Sequence, residues 1–236
     1  MGNRMAVWIT LIGAVLAASP ALPAFSQPAP EAIPALQNAS FESPAVSTPD
    51  DHFPPENWIC FASKPGDKVG CTAQTKRSGS QALIFKAPSA ANAFEGASQE
   101  FQVTPTYHYG FTAYAIADEA DRLGAGSFGQ VHIEWRAADG KEISRVYGPT
   151  WDINLSTKRW ERFFVEGDAP DGAASGLVVV MFYSKNSPGH GTFYVDDCEF
   201  TGGPPRNASI RRDPNNRMNR FLETNPRLKS SDSSSR

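Results

Sequence analysis

Four polar side chains in the middle of the chain have the chemistry to transfer protons or to hold a polar ligand. His132, Glu134 and Arg136 stand at every second position of one segment, and Tyr114 has a similar place in an earlier segment. Imidazole, carboxylate and phenol groups can act as acids and bases, and with guanidinium they can hydrogen-bond the hydroxyl groups of a ligand. Either chemistry requires a fold that places several of these groups on one surface.

The chain has the pattern of an all-β protein. Short runs of β-branched and aromatic residues recur between clusters of Gly, Pro, Asp and Asn, and no long stretch carries apolar residues at helical spacing with caps. This pattern predicts a two-sheet antiparallel β-sandwich. The predicted strands cover residues 57–62, 81–86, 98–103, 107–117, 129–136, 142–147, 160–166, 176–184 and 192–200.

Alternation within the strands predicts which side chains face solvent, because successive side chains point to opposite faces of a sheet. In residues 131–136 of the predicted strand 129–136, the apolar positions Val131, Ile133 and Trp135 face the core. Tyr183 faces outward if the apolar residues beside it are the buried set, and Trp151, in a loop-like stretch after a Gly-Pro pair, is placed at the rim. The outward candidates are Tyr114, His132, Glu134, Arg136, Tyr183 and Trp151.

The two ends of the chain do not belong to the predicted sandwich. Residues 1–26 combine a basic start, an apolar stretch too short for a comfortable membrane span and small residues before a cleavage point, which predicts a secretory signal peptide. A Pro- and Ala-rich linker over 27–35 precedes the sandwich of 36–201, and the basic tail over 202–236 is too polar to fold. We therefore expect a secreted protein, extracellular or periplasmic, without stable membrane insertion after signal cleavage.

The charge is distributed unevenly along the chain. Residues 27–200 carry 13 Lys and Arg against 22 Asp and Glu, a net charge of −9, whereas residues 201–236 carry 8 against 3, a net charge of +5. An acidic domain argues against nucleic acid as its ligand. The sequence leaves the oligomeric state open.

One glycine motif is excluded as a nucleotide site. Residues 123–131 read LGAGSFGQV, which matches the glycine loop of protein kinases. A kinase also needs a lysine on the next strand and the HRD and DFG motifs, and this chain has none of them. The segment 118–129 is therefore predicted to be a long loop.

Four pieces of sequence carry a family resemblance. They are LQNASFE at 36–42, SGSQALIF at 78–85, VHIEWRAADGKEIS at 131–144 and GTFYVDDCEF at 191–200. In this order they resemble the jelly-roll carbohydrate-binding modules that accompany xylanases and cellulases, which are galactose-binding-like β-sandwiches. The resemblance implies a non-catalytic module that binds a polysaccharide or glycan through the outward candidates on one face, with aromatic rings against the sugar CH groups.

The same resemblance implies a structural calcium ion where the first and last strands meet. The carboxylate candidates are Glu42 and one of Asp196 or Asp197, and the backbone near Asn38 and Ser78 would add oxygen ligands. Calcium prefers such mixed oxygen donors.

The cysteines predict one disulfide. Cys60 and Cys71 flank the turn-rich segment 64–70, so in an oxidising compartment we expect them to pair. The alternative is that all three cysteines are free buried thiols. Cys198, in an apolar strand, is expected to behave as a small core residue.

Two other functions remain open. The sandwich could serve a structural envelope protein through protein contacts, or a jelly-roll polysaccharide lyase in which Tyr114, His132 and Arg136 act on an acidic sugar. The acidic domain would repel such a substrate, and Glu134 has no assignable carboxylate partner for glycoside hydrolysis. We therefore predict that the protein is not an enzyme.

Overall fold

The computed structural model describes residues 35–47, 53–67 and 69–205, and the predicted signal peptide and nearly all of the linker and tail lie outside them. Ten strands form in this part of the chain. Their bounds are β1 Ile59–Ala62, β2 Val69–Thr72, β3 Ala82–Lys86, β4 Phe94–Gln102, β5 His108–Ala117, β6 Ser127–Arg136, β7 Glu142–Trp151, β8 Glu161–Asp168, β9 Ser175–Ser184 and β10 Thr192–Gly203.

The strands form two antiparallel sheets of five. Sheet A has the order β1-β4-β9-β6-β7, and sheet B has the order β2-β3-β10-β5-β8. The prediction of a two-sheet β-sandwich is confirmed. The strand absent from the prediction is β2, whose four residues include glycine and cysteine and so have little β signal. In the described residues, no helix has the length and apolar character that crossing a membrane requires.

The core lies between the two sheets and is rich in aromatic rings. Phe193 of β10 stacks on Phe85 with ring centroids 4.7 Å apart, and Phe182 of β9 meets Phe193 from the other sheet at 4.7 Å. Trp135 packs 5.5 Å from Tyr109. Val131, Ile133 and Trp135 are all buried, as their alternation predicts.

Trp151 lies in this core and not at a surface rim. Its ring packs 4.5 Å from Phe163 and sits over Gly129, where an added Cβ would lie only 2.1 Å from the indole nitrogen. The rim prediction for Trp151 is wrong because the stretch after Gly148-Pro149 is not a loop: β7 continues to Trp151, with one extra residue opposite Gln130 and His132. Such a bulge shifts the alternation by one, so Trp151 faces inward.

The predicted disulfide between Cys60 and Cys71 is also wrong, and all three cysteines are free thiols. The two strands that carry them do not form a hairpin, since β1 pairs with β4 in sheet A and β2 pairs with β3 in sheet B. The Cys71 thiol instead donates to the Phe41 carbonyl at 3.4 Å. Burial raises the pKa of Cys60 and of Cys71 to about 12, so both thiols are protonated at neutral pH.

Candidate functional site

The outer face of sheet A carries an open cleft of about 550 Å³. All five strands of the sheet contribute side chains to it. Its floor is the central strand β9, which presents Leu177, Val179 and Met181 in a row at alternate positions. The floor is therefore apolar across the middle of the sheet.

One wall of the cleft is aromatic. Phe61 of β1, Phe94 of β4 and Tyr183 of β9 form a chain in which the first two rings lie 6.3 Å apart and the last two 5.7 Å apart. Phe128 of β6 stacks on Tyr183 at 5.3 Å and nearly parallel, at 7°. Gly96 leaves room for this wall, since an added Cβ would lie 2.4 Å from the Phe61 ring.

The opposite wall is ionic, and Glu134 is its centre. The Glu134 carboxylate forms ion pairs with the guanidinium groups of Arg136, at 3.0 Å, and Arg145, at 2.7 Å. Arg145 also reaches Glu142 at 2.8 Å. Burial opposes the ionisation of Glu134, but hydrogen bonds from His132 and Arg136 and the charge of Arg145 outweigh it and lower its pKa to about 2. The wall is thus a set of fixed, mutually neutralised charges.

His132 supports this wall from below and does not reach the ligand space. Its side chain is only 1 % exposed and its Nε2 lies 3.2 Å from Glu134 Oε1. Tyr147 lies over it with ring centroids 5.5 Å apart. Burial lowers the pKa of His132, so the ring is neutral at neutral pH. The prediction that His132 faces solvent as a ligand contact is therefore corrected.

Tyr114 belongs to a different surface. It lies on β5 in sheet B, and the Arg77 guanidinium covers its ring at 3.7 Å from the centroid. The predicted set is therefore divided, with Glu134, Arg136 and Tyr183 lining the cleft and Tyr114 on the far side of the sandwich. Alternation assigns each side chain to a face of its strand, but it does not tell which sheet the strand joins.

Several lining residues were not predicted. Phe61 and Phe94 come from strands that alternation marks only weakly, and Tyr183, which packs on Phe94, lies much further along the chain. Glu142 and Arg145 lie on β7, whose polar side chains alternate too irregularly to single out a functional pair. The pairing order of sheet A brings these distant positions together.

The residues predicted to hold calcium meet where the first described segment crosses the last strand. The Cys198 amide donates to the Ala39 carbonyl at 2.8 Å. Glu42 accepts the Ser80 amide at 3.0 Å and packs on Gly79, where an added Cβ would lie 2.1 Å from its Oε1. Ser78 is hydrogen-bonded to Asp196 and Asp197, and Glu42 lies beside it on the Ser80 amide. The Asn38 side chain is instead hydrogen-bonded to the backbone of Ser43.

The two aspartates of this cluster already accept hydrogen bonds from other groups of the protein. Buried Asp196 accepts the backbone amides of Arg77 at 2.8 Å, Ser78 at 3.1 Å and Asp197 at 2.7 Å. Asp197 accepts the Ser78 hydroxyl at 2.6 Å and the Arg77 guanidinium. In the described part of the chain, no group of three or more His, Cys, Asp or Glu side chains is arranged to hold a metal ion. Calcium would therefore have to displace Arg77 from Asp197.

The fold is shared with solved structures of distant sequence. No protein-family model and no curated protein matches the chain. The Stig cyclase Fisc from Fischerella sp. TAU is 16 % identical over 73 % of this chain and 99 % of its own, with a TM-score of 0.51. The enzymatically active domain of tailspike protein 4 from bacteriophage CBA120 is 11 % identical over 71 % of this chain, with a TM-score of 0.52, and the match spans only 21 % of the tailspike chain.

A carbohydrate-binding module is also among the similar structures. The xylan-binding domain of a Paenibacillus barcinonensis protein is 15 % identical over 70 % of this chain and 92 % of its own, with a TM-score of 0.48. The sandwich fold that the resemblance implies is confirmed by the two antiparallel sheets of this structure. At such identities the fold alone is shared, and the function has to be argued from the cleft.

Proposed function

We propose that the protein is an exported, non-catalytic module that binds a polysaccharide or glycan in the sheet A cleft. The observation that supports this proposal is an apolar floor enclosed between an aromatic wall and an ionic wall. A pyranose ring offers CH groups to aromatic and aliphatic surfaces and hydroxyl groups to planar polar side chains. The cleft provides both kinds of contact on opposite sides of one ligand.

The ionic wall favours binding over catalysis. A general acid or base works best when its pKa lies near the working pH, whereas the pKa of Glu134 is lowered to about 2. Glycoside hydrolysis also needs two carboxyl groups with different roles, and two of the three glutamates that line the cleft, Glu134 and Glu142, are paired with Arg145. A lyase built from Tyr114, His132 and Arg136 lacks both Tyr114 and His132 in this cleft.

Truncation of the aromatic wall tests the cleft. We expect Phe61→Ala and Phe94→Ala to weaken glycan binding at least about tenfold, because the loss of an aromatic contact costs roughly 1.5–3 kcal/mol. The matched control is Phe164→Ala, a partly exposed ring that lies beside Arg162 on sheet B, far from the cleft. Binding is measured on a glycan array and then by calorimetry, with melting curves to show that each variant is folded.

The same samples separate the competing functions. Retention of a glycan without reducing-end or unsaturated products supports the binding module, and product formation would instead make the protein an enzyme. If neither binding nor turnover occurs, the structural alternative is favoured. If Phe94→Ala and Phe164→Ala lost affinity equally, the cleft would not be the glycan-binding site.

Calcium at the Asn38–Asp197 cluster stays a prediction with its own test. A ligand that binds only the folded state stabilises it by about 2.7 kcal/mol at a hundredfold excess over its dissociation constant. We therefore expect chelation to lower the melting temperature by roughly 5–10 °C and added calcium to restore it. The control is Glu42→Gln, which should no longer respond to calcium. An unchanged melting curve would leave Arg77 as the cation that neutralises Asp197.

A further inference from the structure

The cleft continues into a second hollow toward the β1 edge of sheet A. This hollow has a volume of about 240 Å³ and shares Ile59, Ser98 and Glu100 with the cleft. Its remaining side chains, Gln37, Asn57 and Gln99, are all amides. The two spaces therefore form one groove that crosses the strands, and Glu100 stands at their junction.

Glu100 differs from the other charged residues of the groove. Glu134, Arg136, Glu142 and Arg145 are joined in one network of ion pairs. Glu100 is exposed and has no hydrogen bond or ion pair within the residues that the structure describes. It lies on β4, on the side of the floor strand β9 away from the arginines of β6 and β7.

The charges of the groove favour a positive ligand over a negative one. Three glutamates and two arginines line the cleft, which leaves a net charge of −1 that the unpaired Glu100 supplies. Arg145 is already bound by two carboxylates and Arg136 by one, so a uronate would compete with Glu134 and Glu142 for them. The surrounding domain carries −9, which adds a repulsive field against polyanions.

We propose that Glu100 determines ligand charge and that the groove prefers glycans containing protonated amino sugars to neutral or acidic glycans. The proposal rests on the proposed function, since it concerns the ligand of the same cleft. The carboxylate sits where a chain running from the aromatic cleft into the amide-lined hollow passes from one space to the other. An ammonium group on that chain would form the ion pair that Glu100 lacks in the free protein. Because the junction is open to solvent, we expect a modest, salt-sensitive preference.

The test compares β-linked glucosamine oligosaccharides with their fully N-acetylated forms and with oligogalacturonides of equal length. Titrations at about pH 6 and low salt keep the free amines of the glucosamine oligosaccharides largely protonated. We expect the native protein to bind the amine form about threefold to tenfold more tightly than the N-acetyl form, and the acidic form least tightly. The preference for the amine form should shrink as salt is added.

Glu100→Gln is expected to remove the preference, so that the variant binds the amine form and the N-acetyl form with equal affinity. The control is Glu199→Gln, an exposed carboxylate of β10 in sheet B, which changes the net charge equally but lies away from the groove. If the preference survives in Glu100→Gln, or disappears equally in Glu199→Gln, the proposal is overturned although glycan binding stands. Binding of none of the three series, together with an empty glycan array, overturns the proposed function itself.

Discussion

As the pH rises from about 5 to about 8, we expect the free energy of unfolding of the native protein to fall by about 4 kcal/mol relative to that of the Glu95→Gln variant. Glu95 faces the core from β4 and is fully buried, and its carboxyl oxygens make no hydrogen bond of good geometry among the described residues, although the Lys86 backbone lies close enough to favour ionisation. Burial, with the negative charge of Asp67 added to it, raises the pKa of Glu95 to about 9. The folded protein must therefore take up a proton at Glu95 that the unfolded chain does not hold at neutral pH.

The direction of the effect follows from this difference in bound protons. Below about pH 4.5, the pKa of Glu95 in the unfolded chain, Glu95 is protonated in both the folded and the unfolded state, so it does not lower the free energy of unfolding. Between about 4.5 and about 9, only the folded state carries it, so each pH unit lowers the free energy of unfolding by about 1.4 kcal/mol. Glutamine has a similar shape and no proton to take up, so its variant lacks this slope.

Chemical denaturation of both proteins at several pH values measures the slope. The control is Glu100→Gln, the same exchange on the same strand but on its exposed outer side, which should leave stability and its pH dependence within about 0.5 kcal/mol of native. A stability gap between native protein and Glu95→Gln that is the same at pH 5 and pH 8 would show that Glu95 is ionised in the folded state.

Glu95 lies in a part of β4 that the sequence pattern does not predict. The prediction began this strand at residue 98, whereas β4 begins at Phe94. The early half of the strand reads FEGAS, and its glycine and glutamate hide the alternation. A buried carboxyl group contradicts the expectation that acids face water, so only the packing of the two sheets reveals it.

The strands with strong alternation were predicted well. In β6, the apolar positions Val131, Ile133 and Trp135 are buried in the core, and Glu134 and Arg136 lie on the outer face. Local side-chain period is a property of the sequence and survives in the fold. What the period does not contain is the neighbour of each strand, and for that reason Tyr114 was grouped with residues of the other sheet.

The cleft itself depends on long-range pairing. Its aromatic wall needs β1, β4 and β9 to lie side by side, and its ionic wall needs β6 and β7 beyond them. Phe61 and Tyr183 are separated by most of the domain in sequence and meet only through that order. Tyr183 could be proposed from its own strand, whereas Phe61 and Arg145 had no local signal that tied them to it.

Trp151→Ala is expected to destabilise the domain by about 3–5 kcal/mol, the cost of emptying a buried tryptophan site. The indole fills space between Phe163, Phe193 and Gly129, and its ring is 2 % exposed, so little solvent can enter when it is removed. Trp151 does not line the cleft, and affinity measured per folded molecule should stay native.

Tyr147→Ala on the same strand is the control for this variant. Tyr147 is 58 % exposed, so we expect its truncation to change stability by less than about 1 kcal/mol. Denaturant unfolding gives the stabilities, and glycan titration well below the melting temperature gives the affinities. A Trp151→Ala protein that keeps native stability and loses binding would restore the rim position predicted from the sequence, in which Trp151 lies in a loop after Gly148-Pro149. The bulge is what turns this tryptophan from a ligand contact into part of the core that holds the cleft's sheet in place.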